Sequence, residues 1–91
     1  DPRTLTRAAK ETVKEHPAFA VEAGMAALRW LCEGYGYEIT SADIWGAYRY
    51  TMEAAANAGS EKETRDRISR LAQTSGARFV VEVLSKELGQ K

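Results

Sequence analysis

The chain has 91 residues, of which 44% are hydrophobic and 29% are charged, and this composition excludes a disordered polypeptide. Thirteen basic side chains balance thirteen acidic ones, so the basic excess typical of proteins that bind nucleic acid or membrane surfaces is missing. A single cysteine, Cys32, excludes an internal disulfide and favours a reducing, cytoplasmic location.

The first predicted helix runs from Asp1 to Glu15, with Asp1 or Thr4 as its N-cap. Pro17 disfavours helical geometry at His16, so we expect a turn there. Pro17 itself suits the first position of the next helix, because that position needs no N–H donor. The apolar face of the first helix is formed by Leu5, Ala8, Ala9, Thr12 and Val13.

The second predicted helix, from Pro17 to Glu33, is apolar on nearly every side, which is typical of a helix at the centre of a helical assembly. At about 100° per residue, its charged residues Glu22, Arg29 and Glu33 fall within roughly 40° of one another. The rest of its surface is predicted to be buried and includes Phe19, Val21, Met25, Leu28, Trp30, Leu31 and Cys32.

The third predicted helix follows the connection GYGYEIT, which begins at Gly34. Thr40 and Asp43 have the spacing of a capping box at its start, and Ile39 and Ile44 have that of a hydrophobic staple. Gly59 is expected to end this helix. Its buried face is predicted to contain Ile44, Tyr48, Thr51 and Ala55, flanked by Trp45 and Met52.

The fourth predicted helix runs from Glu61 to about Thr74, and Ser60 with Glu63 predicts a second capping box at its start. Its thin apolar stripe, which places it on the outside of the fold, is formed by Thr64, Ile68, Leu71 and Ala72.

The last predicted helix extends from Ala77 to Leu88, after the helix-breaking Gly76. The β-branched residues near Val80 also allow a strand, but three consecutive apolar residues do not alternate and no second strand is available, so a helix is favoured. The predicted buried stripe contains Phe79, Val80, Val83, Leu84 and Leu88.

Five short helices with tight links predict one all-α domain over residues 1–91. We expect stacked antiparallel hairpins, as a bundle or a short α-solenoid, around the helix from Pro17 to Glu33. No apolar run approaches the roughly 20 residues that span a bilayer, so no membrane segment is expected. The chain opens on Asp1 and not on Met, which favours a C-terminal fragment of a longer protein.

Two segments, HPAFAVEAGMAALRWLCEGYGYEIT and ADIWGAYRYTMEAA, cover about half of the chain. They resemble the C-terminal helical part of an uncharacterised family of larger bacterial proteins. The likeness depends on the Pro-Ala-Phe-Ala start of the helix, its Ala-Leu-Arg-Trp core and the Gly-Tyr-Gly-Tyr connection. The resemblance implies a helical, repeat-like fold and a bacterial, cytoplasmic origin, and it supplies no catalytic residues.

Catalytic chemistry has few candidates in this sequence. His16 and Cys32 could form a thiolate pair only if they met, yet 16 helical residues separate them by roughly 24 Å. We therefore expect an inert buried cysteine and an exposed histidine at a corner. Two such side chains also fall short of the four ligands of a structural zinc site. The sequence predicts neither an enzyme nor a bound metal or cofactor, unless another chain or a preceding segment completes a site.

The favoured function is a structural or interaction module that binds another protein or the rest of its own chain. The apolar second helix motivates this hypothesis, because four short neighbours would leave part of it for a partner. Aromatic side chains dominate binding hot spots, so the predicted interaction surface consists of Tyr35, Tyr37, Trp45 and Tyr50. A monomer is expected, with a homodimer as the alternative.

A nucleic-acid-binding accessory domain is the alternative function, through phosphate contacts or a helix-turn-helix formed by the third and fourth helices. The residues that would carry it are Arg65, Arg67, Arg70 and Arg78. An acidic residue lies four positions before each of the first three arginines, and this order favours neutralising pairs within the helix. The predicted pairs are Glu61–Arg65, Glu63–Arg67 and Asp66–Arg70.

Overall fold

The computed structural model describes residues 2–33 and 40–89 and confirms the all-α fold, with five helices and no strand within these two ranges. The segment that would become a strand under the alternative interpretation lies in the last helix. The helices are α1 (Pro2–Thr12), α2 (Pro17–Glu33), α3 (Ser41–Ala58), α4 (Glu61–Thr74) and α5 (Arg78–Glu87). The connection that includes Tyr35, Tyr37 and Ile39 lies outside the described residues.

Helix α2 lies at the centre of the fold, as its sequence predicts. It packs mainly against α1 and α3, while α4 and α5 contact each other, α3 and α2. The core draws on all five helices, and its largest fully buried apolar side chains are Leu28, Leu31, Ile44, Ile68, Leu84 and Val80.

The prediction that α2 is buried on nearly every side is wrong at two aromatic positions. Phe19 is 57% exposed and Trp30 is 36% exposed. Both lie beside the charged stripe, at about 60° and 80° from Glu22 around the helix. The packing of α1 and α3 leaves a band of α2 uncovered that is wider than the charges alone indicate.

Helices α2 and α3 approach each other closely at Gly24 and Thr51. A Cβ atom placed on Gly24 would lie 3.2 Å from the Thr51 Cα and would overlap the Thr51 Oγ1. The Thr51 hydroxyl donates a hydrogen bond of 2.6 Å to the Ala47 carbonyl, which satisfies this fully buried polar group. The absent side chain of Gly24 therefore sets the distance between the two central helices.

Helix α1 ends at Thr12, one turn earlier than Glu15, where the sequence places its end. The His16 amide still bonds to the Thr12 carbonyl at 2.8 Å, but Pro17 prevents the helix from continuing. Asn57 of α3 donates from Nδ2 to the Val13 carbonyl at 2.8 Å. This bond satisfies a carbonyl at the end of α1 and attaches α1 to α3.

The predicted capping box at the start of α3 is confirmed. The Asp43 amide donates to Thr40 Oγ1 at 3.2 Å, and the Thr40 amide donates to Asp43 Oδ2 at 3.0 Å. Its predicted buried face is confirmed as well, because Ile44, Tyr48 and Thr51 are buried.

The predicted capping box at the start of α4 is wrong, since the Ser60 side chain makes no bond to the helix backbone. Ser60 instead closes α3, where its amide donates to the Ala55 carbonyl at 2.9 Å. Gly59, with φ of 73°, donates to Ala56 at 3.3 Å, which completes a Schellman motif. The two-residue connection thus leaves Ser60 without the extended backbone that an N-cap needs.

The predicted buried stripe of α5 is wrong at Phe79, which is 48% exposed. Val80 and Leu84 are buried, and Val83 and Leu88 are half-buried. Because Val80 and Leu84 lie about 100° and 140° from Phe79 around the helix, the face that meets the core points away from Phe79.

Among the described residues, two ion pairs join helices that are distant in sequence. Arg3 of α1 makes bonds of 3.1 and 3.3 Å to the Asp43 carboxylate of α3. Arg67 of α4 makes bonds of 2.8 and 3.0 Å to the Glu22 carboxylate of α2. Each arginine holds the pKa of its carboxyl partner below the usual value.

We expect this lowered pKa of Asp43 to make the effect of Arg3→Gln depend on pH. The pair contributes fully above the unfolded carboxyl pKa of about 4, and its contribution is lost as pH falls through the lower folded pKa. Urea unfolding at pH 7 should show a loss of about 0.5–1 kcal/mol for Arg3→Gln, and the loss should shrink as pH falls through the lowered folded pKa of Asp43. Arg7→Gln, an exposed position on the same helix, is the control; an equal loss there would contradict the assignment.

Candidate interaction surfaces

The predicted aromatic surface is not a single patch in the structure. Trp45 and Tyr50 lie about 140° apart around α3, so they face different neighbours. The Tyr50 ring is half-buried and lies 5.9 Å from the Lys10 ammonium group of α1. Trp45 instead lies beside α5 and is 44% exposed. Tyr35 and Tyr37, the other two predicted members, lie outside the described residues.

Trp45 is part of a shallow groove between the first turns of α3 and the last turns of α5. The groove encloses about 360 Å³. The Arg49 guanidinium lies 5.0 Å from the centre of the Trp45 ring, which is a cation–π distance. This contact restrains the indole that lines the groove. The lining residues are Ser41, Ala42, Trp45, Val83, Lys86 and Glu87.

Each of the two helices carries a further apolar residue on the side that lines the groove. Phe79 lies four residues before Val83 and within about 40° of it around α5, so both side chains occupy one side of the helix. Met52, half-buried, lies seven residues after Trp45 and within about 20° of it around α3. We call this combined surface the α3–α5 face, and define it by Trp45, Arg49, Met52, Phe79, Val83 and Lys86.

Charges of both signs border the α3–α5 face. Arg49 and Lys86 are exposed, and neither forms an ion pair with another described residue within 4 Å. Besides Asp43, which pairs with Arg3, the acidic residues on the same two helices are Glu53, Glu82 and Glu87. Aromatic residues, Met and Arg are enriched in protein interfaces, and a mixed polar rim is typical of them.

A second exposed aromatic region lies on α2. Trp30 lines a smaller groove, about 200 Å³ in volume, with Leu5, Ala26, Arg29 and Glu33. Phe19 lies on the same side of α2, about 20° from Trp30 around the helix and roughly 16 Å along its axis. Their exposure could have been predicted from the sequence, because both positions lie directly beside the stripe of charged residues on α2.

The arginines of the alternative function do not form one surface. Arg65 and Arg67 lie about 160° apart around α4. Arg67 forms its ion pair with Glu22 of α2, so the predicted Glu63–Arg67 pair is wrong. Arg65 lies on the other side, near Tyr48. Burial raises the pKa of the Tyr48 hydroxyl, and the positive charge of Arg65 offsets part of this increase. Arg70 donates to the Asp66 backbone carbonyl at 3.4 Å, and Arg78 begins α5.

The two candidate nucleophile residues lie at opposite ends of α2. His16 is an exposed residue in the turn before α2, and Cys32 is buried in its last turn, as the sequence predicts. Burial raises the pKa of the Cys32 thiol, which disfavours the thiolate at neutral pH. The Ser75 hydroxyl donates to the Cys32 carbonyl at 3.0 Å and connects the α4–α5 link to the end of α2.

A cavity of about 730 Å³ lies between this end of α2 and the α4–α5 link. Its polar lining combines Arg29 and Glu33 with Thr74 and Ser75. Within residues 2–33 and 40–89, no group of three or more His, Cys, Asp or Glu side chains could hold a metal ion.

None of the five described helices is both long enough and apolar enough to cross a membrane. Comparison with protein-family models, with curated proteins and with solved structures gave no significant match. The resemblance to an uncharacterised bacterial family therefore stays a prediction.

Proposed function

We propose that this chain is a non-enzymatic helical module that binds protein through its α3–α5 face. The observation that carries the proposal is the exposure of Trp45 and Phe79 on two adjacent helices, at 44% and 48%. A domain that buries Leu28, Ile44 and Leu84 completely nevertheless leaves these two large aromatic rings in water. Exposed apolar surface with a polar rim is typical of a binding site.

The geometry around Trp45 supports this choice of surface over Tyr50. The Tyr50 ring packs against the core and contacts Lys10, so much of its area is already used within the fold. Trp45 lines the groove and lies at a cation–π distance from Arg49, a contact that restrains the ring and lowers the entropic cost of binding. An aromatic side chain held in place beside a groove is the usual anchor of a hot spot.

The separation of His16 and Cys32 supports a non-enzymatic role. A cysteine nucleophile needs a base within hydrogen-bonding reach, and these residues lie at the two ends of a 17-residue helix. Arg65 and Arg67 also face different sides of α4, which favours protein over nucleic acid as the partner. A cytoplasmic location, supported by the single buried thiol, is part of the proposal.

The test is capture of proteins from bacterial lysate on the immobilised chain, with and without nuclease, followed by mass spectrometry. We expect a discrete set of bound proteins that survives nuclease and is lost with Trp45→Ser or Phe79→Ser. Both positions are about half exposed, so circular dichroism should show folded variants. Retention that depends on nuclease-sensitive material, and is lost with Arg65→Glu, would overturn the proposal.

A further inference from the structure

We propose that α5 detaches from the rest of the fold on its own, while α1 to α4 stay folded. Phe79, Val83 and Lys86 are the residues that α5 contributes to the α3–α5 face, so detachment removes half of that face from beside Trp45. The consequence for binding rests on the proposed function, whereas the detachment itself does not.

Helix α5 has little stability of its own. It has 10 residues, and isolated helices shorter than about 12–15 residues are marginal in water. Three of its residues are valines, which are weak helix formers. Its start has no side-chain cap, because Ala77 occupies the N-cap position, and only its other end is closed locally, by Gly89 with φ of 74°. The helix therefore depends on packing against its neighbours.

The packing that holds α5 is small. Of its residues only Val80 and Leu84 are buried, whereas α2 buries nine residues and α3 buries six. Helix α5 meets α3 and α4 and touches α2 only slightly. One ion pair attaches α1 to α3 and another attaches α4 to α2, but none within 4 Å joins α5 to another described residue. Detachment of α5 therefore leaves the contacts among the other four helices intact.

Side-chain hydrogen bonds attach α5 to its neighbours near each of its two ends. The Ser75 hydroxyl donates to the Cys32 carbonyl of α2 at 3.0 Å and accepts from the Ala77 amide at 3.1 Å. At the other end, the Tyr48 hydroxyl of α3 donates to the Glu87 carbonyl at 3.4 Å. A single bond of this kind changes an equilibrium by only about two- to tenfold.

The connection before α5 is suited to act as a hinge. It spans residues 75–77, which lie outside both helices. At its centre Gly76 is exposed, and nothing lies within 4 Å of the position that its Cβ would occupy. A few such residues are enough to absorb the backbone rotation that moves a whole helix. Detachment uncovers the apolar sides of α3 and α4 that Val80 and Leu84 cover, so the attached form is the more stable one.

The experiment is amide hydrogen exchange of the unmodified chain, followed by NMR in increasing, subdenaturing urea. We expect the amides of α5 to exchange at least about a hundredfold faster than the slowest amides of α2 and α3. Their rates should also depend less on urea, because detachment exposes less surface than unfolding does. Ser75→Ala should accelerate the α5 amides about fivefold, and Ala77→Asp, which adds an N-cap, should slow them about threefold.

Arg3→Gln is the control, because its ion pair with Asp43 joins α1 to α3 and persists when α5 detaches. It should accelerate the slowest amides of α2 and α3 about threefold and leave those of α5 unchanged. Equal protection of α5 and α2 would overturn the proposal, as would equal acceleration of both helices by Arg3→Gln.

Leu84→Ala tests the consequence for binding. Loss of this fully buried side chain should accelerate the α5 amides at least about a hundredfold, while those of α2 and α3 stay protected. The variant should then lose lysate capture, as Trp45→Ser does. If Leu84→Ala unfolds all five helices together, the proposal is wrong, although loss of capture with Trp45→Ser would still support the proposed function. If Leu84→Ala detaches α5 and Trp45→Ser leaves capture intact, the detachment stands and the proposed function falls.

Discussion

Replacing Gly24 with Ala should destabilise the protein by about 2–3 kcal/mol, although alanine is the better helix former. The added methyl group would overlap Thr51 Oγ1 and would press on the Thr51 backbone. The hydroxyl cannot move freely, since it is fully buried and bonded to the Ala47 carbonyl. Overpacking of this kind outweighs the roughly 1 kcal/mol gained in helix propensity. Thermal unfolding should show a midpoint lower by about 10–20 °C.

Gly46 provides the matched control for this substitution. It also lies within a central helix, α3, but nothing lies within 4 Å of the position that its Cβ would occupy. Gly46→Ala should therefore raise stability by about 0.5–1 kcal/mol. Thr51→Ala should recover part of the loss in Gly24→Ala, because the overlapping oxygen is removed. Equal effects of the two glycine substitutions would contradict the close approach of α2 and α3.

Replacing Leu28 with Ala should cost about 3–4 kcal/mol, a large share of the stability of a small domain. Leu28 lies in the middle of α2 with 0% of its surface exposed, and it contributes to a core shared by all five helices. The loss combines the transfer energy of the removed atoms with the cavity that remains. Urea unfolding should show a lower midpoint with an unchanged slope.

Phe19→Ala is the control on the same helix. Phe19 is a larger side chain than Leu28, yet it is 57% exposed, so its removal should cost less than about 1 kcal/mol. Comparable losses for the two variants would mean that α2 is buried on both sides, as its sequence suggests, and that its exposed band is covered.

Sequence patterns predict the helices of this protein well because each end has a local cause. Pro17 begins α2, Gly59 ends α3, and the Thr40–Asp43 box begins α3. All of these effects act within four residues. The failed capping box at Ser60 shows the limit of local reasoning, because the same residue is also needed to close the preceding helix.

Exposure of side chains depends on how helices are arranged, which periodicity alone does not specify. Phe19, Trp30 and Phe79 are apolar, and the sequence places them in the core. They are exposed because α1, α3 and α4 cover other sides of α2 and α5. Likewise, Arg67 has an acidic neighbour at helical spacing in Glu63, but a better bidentate partner comes from a different helix.

The aromatic site is therefore predictable only in part. Trp45 remains a member of the candidate surface, whereas Tyr50 belongs to a different side of α3. Phe79 joins the surface only because α5 packs beside the first turns of α3, a pairing between residues about 35 positions apart. Such long-range pairings are set by packing in the shared core, and the local sequence around either residue does not indicate them.

Lysate capture by three matched variants tests most directly the claim that the α3–α5 face binds protein. We predict that Trp45→Ser and Phe79→Ser each lose the nuclease-resistant bound proteins, while Phe19→Ser retains them with the same folded spectrum. The opposite pattern, with binding lost in Phe19→Ser and retained in the other two, would assign protein binding to α2 and contradict the account.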